Sequence, residues 1–102
     1  MTSEPAVDPV VRELRALISR ADREILEAAN RRLELVLRLH RHKATQGYPM
    51  VDPAREEALL AALVEQNAGP LSDDGVRELF RKLVEISKRE AAAAVSAAPP
   101  SA

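Results

Sequence analysis

Apolar residues in the first half of the chain recur at three- and four-residue steps: Val11, Leu14, Ile18, Ala21, Ile25, Ala28, Leu35 and Leu39. That spacing marks one face of an α-helix, and no Gly or Pro interrupts it until Gly47 and Pro49. Asp8-Pro9 opens the segment as an N-cap followed by proline at the first helical position, where a missing N–H is no loss. The pattern predicts one helix over about residues 9–45, roughly 50 Å long at 1.5 Å per residue. Ordinary globular helices run to about 11 or 12 residues, so a rod of this length needs a partner along it.

Asp52-Pro53 repeats the cap-plus-proline device. It starts a predicted second helix over about residues 53–67, with Leu59, Leu60, Leu63 and Val64 on one face and Gly69-Pro70 as the stop. Ser72 then caps a third helix over about residues 73–91, in which Asp73 and Asp74 complement the N-terminal dipole. Its stripe is Val76, Leu79, Phe80, Leu83 and Val84. Residues 1–7 and the Ala/Pro-rich stretch 92–102 read as disordered tails around a single helical domain, 8–91. No alternating strand pattern and no internal repeat is present, so the fold class is all-α: a three-helix chain with one very long N-terminal helix.

Several polar residues fall in step with the apolar ones. Arg15 lies four residues after Val11 and three before Ile18; Arg32 lies four after Ala28 and four before Val36; Lys43 lies four after Leu39. Glu56 sits one turn before Leu59 and Leu60, and Ser87 one turn after Leu83 and Val84. Taken singly, each has a structural explanation, since long cationic side chains lie along apolar surfaces and Glu56 suits a helix N-terminus. Together they are harder to explain so, because burying several cations without compensation is costly and a bound anion would supply the missing charge. Arg32 and Lys43 are about 16 Å apart along a helix axis, a span that two long side chains can close on a small dianion. Arg15 is about 25 Å from Arg32 on the same axis. It joins that ligand only from a second chain, in a two-fold dimer with antiparallel rods.

Composition narrows the chemistry. The chain has 102 residues, 46% of them hydrophobic, with one Tyr, one Phe and no Trp. About 80 residues are patterned, and a lone bundle of about that size hides only roughly 60% of its unfolded surface, which again favours oligomerisation. The formal net charge of −1 excludes the global basic field expected of a nucleic-acid or anionic-membrane binder. The run Arg31, Arg32, Arg38, Arg41 and Lys43 has only Tyr48 nearby as an aromatic, a poor basis for a nucleic-acid stripe. His40 and His42 are two apart and point to different sides of a helix, against a shared metal site. The absence of Cys removes disulfides, thiolate nucleophiles and Cys-based zinc sites. No apolar run approaches the roughly 18 residues of a membrane span, and MTSEPAVDP has neither the basic start nor the apolar stretch of a secretory signal. A cytoplasmic address is expected.

These elements together resemble the all-helical (AroQ-class) chorismate mutases. The resemblance is carried by LRALISRADREIL with Arg15 and Asp22, by Arg32, by Lys43 at its proper distance, by DPAREEALL from Asp52 to Leu60, and by LFRKLVEIS ending in Ser87. It implies an intertwined homodimer of three-helix chains whose long first helices span both active sites. It also implies the rearrangement of chorismate to prephenate in phenylalanine and tyrosine biosynthesis, a pericyclic step that needs no cofactor, nucleophile or metal. By matched position, Arg15 from the partner chain and Arg32 should hold the two substrate carboxylates with help from Ser87. Lys43 should contact the ether oxygen and a carboxylate. Asp52 and Glu56 should recognise the ring hydroxyl, and Arg55 should support the pocket.

One departure stands out. Where the family presents Gln or Glu one turn after the serine, as a second donor to the ether oxygen, this chain has Ala91. Glu90 is one residue earlier, and as a protonated carboxyl it is the candidate replacement. Other readings of the same scaffold are a 4-amino-4-deoxychorismate mutase, an isochorismate-pyruvate lyase, and a low-activity mutase-like dimer that docks on or regulates a shikimate-pathway enzyme. Asp52 and Glu56 match the mutase's hydroxyl-binding pair and so disfavour the lyase.

Overall fold

The computed structural model describes residues 8–97, with side chains described from 8 to 94. Three helices follow one another: α1 (Pro9–Gln46), α2 (Pro53–Gln66) and α3 (Asp73–Ala97). The chain divides into two compact units, Met1–Arg32 and Leu33–Ala102.

The predicted caps form. The Asp8 carboxylate accepts from Val10 N at 2.9 Å and from Val11 N at 3.4 Å, which satisfies donors that the first turn of a helix leaves unpaired. Asp52 takes an extended conformation and accepts from Arg55 N at 3.2 Å. Ser72 Oγ accepts from Gly75 N at 3.0 Å. At the other end of α1, Gly47 has φ 72°, a left-handed conformation that glycine adopts without steric cost. Gly47 N donates to the Ala44 carbonyl and Tyr48 N to the Lys43 carbonyl, the paired closure of a Schellman motif.

Two features differ from the sequence expectation. The stop after α2 is built by Asn67, ahead of Gly69-Pro70: its Oδ1 accepts from Gly69 N at 3.0 Å and its Nδ2 donates to the Leu71 carbonyl at 2.7 Å. Helix α3 runs to Ala97, past the boundary expected at residue 91, so residues 92–97 are helical and not a disordered tail. Alanine has the highest helix propensity of all residues, and the exposed run Ala92–Ala94 continues the helix beyond the buried Ala91 without needing tertiary contacts. Residues 1–7 and 98–102, the remainder of the expected tails, lie outside the described residues.

In unit 1, helix α1 displays its aliphatic side chains. Leu14, Leu17, Ile18, Ile25 and Leu26 are each at least half exposed. Across its whole length α1 contains no buried residue. Unit 2 holds the packed core, in which α2 lies on α3. Leu60, Val76 and Ala91 are buried there, together with the hydroxyl-bearing Ser87.

The half-buried positions on the unit 2 part of α1 are Leu33, Val36, Leu37, His40 and Lys43, one stripe at helical spacing. Leu35 and Leu39, which the apolar periodicity placed on the main face, are exposed. This end of α1 therefore has two adjacent apolar faces. His40 belongs to the half-buried one because it follows Val36 by one turn; His42 is exposed and meets the Tyr48 ring edge-on at 6.3 Å.

Candidate active site

Each candidate residue is positioned by its helix. In unit 1, Arg15 lines a shallow hollow with Val11, Leu14, Ile18 and Ser19, all on α1. Arg32, at the end of the same unit, is half-buried. These are the two guanidiniums assigned to carboxylate recognition.

The remaining candidates belong to unit 2. Lys43 is half-buried in the stripe with Val36 and His40, and its backbone carbonyl is fixed by the Schellman closure at Tyr48. The position is therefore held at its backbone. Asp52, Arg55 and Glu56 occupy the start of α2. Asp52 and Arg55 are exposed and Glu56 is half-buried. Asp52 uses one carboxylate oxygen to cap the helix, and its carbonyl accepts from Glu56 N at 3.2 Å.

On α3, the Ser87 hydroxyl donates to the Leu83 carbonyl at 2.8 Å, and the residue is buried. The next residue, Lys88, reaches across to α2 and pairs with Glu56 Oε1 at 2.5 Å. Thus the Ser87 turn of α3 lies beside the first turns of α2. Glu90 is exposed, and Ala91 takes the buried position one turn after Ser87.

Lys88 was not among the residues expected from sequence. Its signal was present: Lys88 lies four residues after Val84, which puts a cation in step with the α3 stripe just as Arg32 is in step with α1.

Residues 14–92 match the family model for chorismate mutase type II. Two solved structures of chorismate mutase from Thermus thermophilus are similar. Form II superposes with a TM-score of 0.77 at 36% identity, covering 79% of this chain and 92% of that one. Form I gives 0.74 at 38% identity, covering 76% and 96%. The T-protein of Haemophilus influenzae is 34% identical over 79 residues, 76% of this chain; the chain spans only 21% of that relative's length. With a family match over most of the chain and two similar enzymes covered almost end to end, this chain belongs to the chorismate mutase type II family.

Proposed function

We propose that the chain rearranges chorismate to prephenate, working as a homodimer in which each pocket takes Arg15 from the second copy. The observation that carries this reading is the match to the family model over residues 14–92, a span within which Arg15, Arg32, Lys43, Asp52, Arg55, Glu56 and Ser87 all fall. The exposed aliphatic face of α1 supports the dimer. Leu14, Ile18 and Ile25 are 54–62% exposed and fall within about 40° of one another at 100° per residue. Covering each would contribute about 1 kcal/mol.

The reaction is internal to one molecule. The ether C–O bond to the ring breaks while the enolpyruvyl methylene forms a C–C bond to the other end of the allylic system, so atoms balance and no proton changes hands. The protein has two tasks: to hold the compact conformer and to stabilise charge on the ether oxygen as its bond stretches. Arg32 and the partner's Arg15 perform the first by bidentate pairing with the two carboxylates, with Ser87 assisting. Lys43, a half-buried residue, performs the second. Glu56 accepts from the ring hydroxyl, Asp52 recognises it beside Glu56, and Arg55 flanks them.

The test is to incubate purified protein with chorismate, isochorismate and 4-amino-4-deoxychorismate in parallel. Prephenate formation from chorismate as the main conversion supports the assignment. Absence of turnover, together with no thermal stabilisation by a bicyclic dicarboxylate resembling the transition state, would sink it.

A further inference from the structure

Lys88 has no part in the reaction as set out above, yet its ammonium lies 2.5 Å from Glu56 Oε1. The side chains are 45% and 31% exposed, and the pair joins α3 to α2. By contrast, Arg77–Asp74 at 3.6 Å and Lys82–Glu85 at 3.3 Å tie neighbouring turns of α3, the kind of surface pair that contributes little.

Glu56 and Lys88 line an open groove with Leu60 and Val84. The other charged groups there are Glu57, Arg81 and Glu85, and Glu85 is engaged by Lys82. Lys88 is thus the cation directly on the carboxylate that, in the reading above, accepts the substrate's ring hydroxyl.

A carboxylate placed to accept from a hydroxyl accepts still better from an ammonium, because Coulomb attraction adds to the hydrogen bond. Glu56 with no counter-charge would favour a dicarboxylate carrying an amino group at that ring position. A cation held on Glu56 reverses the preference: it offsets the carboxylate's charge, leaves its second oxygen for a neutral hydroxyl, and repels an incoming ammonium.

We propose that Lys88 is a specificity-determining residue, which by pairing with Glu56 makes that carboxylate accept a hydroxyl-bearing dicarboxylate and reject its amino-bearing analogue. This rests on the proposed role of Glu56 as hydroxyl acceptor. It gives Lys88 a positioning role through Glu56 and no direct part in the bond changes.

The experiment compares kcat and KM for chorismate and for 4-amino-4-deoxychorismate in the unaltered protein, Lys88→Gln and Lys88→Arg, with thermal melting of all three. Lys88→Gln is expected to shift the kcat/KM ratio toward the amino substrate by at least about tenfold, chiefly through a lower KM for that substrate. Lys88→Arg is expected to keep the original ratio. An unshifted ratio in Lys88→Gln overturns the inference, and so does an equal fall for both substrates with a lowered melting temperature, which marks a structural strut. If the unaltered protein converts neither substrate, the mutase assignment itself falls, an outcome separate from an unshifted ratio in an active enzyme.

Discussion

Ala91 follows Ser87 by one turn of α3, and the two are buried together at 0% and 8% exposure, while Glu90 between them is exposed. A methyl group thus fills the register at which a second donor to the ether oxygen was expected, and the neighbouring Glu90 is exposed. Glu90→Gln should therefore leave kcat/KM within about twofold, the ordinary range for a surface substitution. Rates measured between about pH 5 and pH 9 check this, since a carboxyl acting as a donor would make the variant diverge from the parent on the acid side. A loss beyond tenfold on that side would restore Glu90 to the reaction.

The burial of Ala91 has a second consequence. Its surroundings are closed around a methyl, so Ala91→Gln must force a larger polar side chain into occupied space. Overpacking of this kind costs about 1–3 kcal/mol. Urea unfolding should show the midpoint falling with the slope unchanged; a midpoint equal to the parent's would mean that the position is open.

In the proposed reaction Lys43 is then the main electrostatic contact for the breaking C–O bond. Lys43→Gln keeps much of the stem and removes the charge, so the half-buried stripe with Val36 and His40 stays packed. Loss of one preorganised charge-stabilising group costs roughly 3–4 kcal/mol, or on the order of 10² to 10³ in kcat. Steady-state kinetics on chorismate test this; a change confined to KM would assign Lys43 to ground-state binding instead.

The elements were legible wherever one helix carries its own signal. Asp8-Pro9, Asp52-Pro53 and Ser72 announce helix starts because capping is a contact between residues two or three apart, and Gly47 announces a stop because its left-handed conformation is local. Arg32 and Lys43 were legible as cations in step with an apolar stripe, and both are half-buried. Asn67 was missed because the residue that ends α2 does so through its side chain, hidden behind the more conspicuous Gly69-Pro70. The extent of α3 was missed because an alanine run looks like low complexity and is also the best helix former. The Glu56–Lys88 pair was missed for a different reason: periodicity shows which face a residue occupies on its own helix, and not which residue of another helix it meets. The two faces of α1 at Leu33–Val36 and Leu35–Leu39 merge in a sequence reading for the same reason.

The origin of Arg15 can be settled by mixing two inactive variants. In the proposed dimer each pocket combines Arg15 of one copy with Lys43 of the other. A dimer of Arg15→Ala with Lys43→Ala therefore gathers both lesions in one pocket and leaves the second pocket intact. Each variant alone has no intact pocket and should be nearly inactive. After unfolding and joint refolding in equal amounts, about half of the dimers are mixed, and about a quarter of all pockets are intact by two-fold symmetry. Activity near a quarter of the parent's, appearing only after joint refolding and absent when the separately folded variants are briefly combined, is the expected result. If Arg15 served the pocket of its own chain, every pocket in the mixture would still carry one lesion. No recovery would then appear at any mixing ratio, and the shared pocket would have to be abandoned.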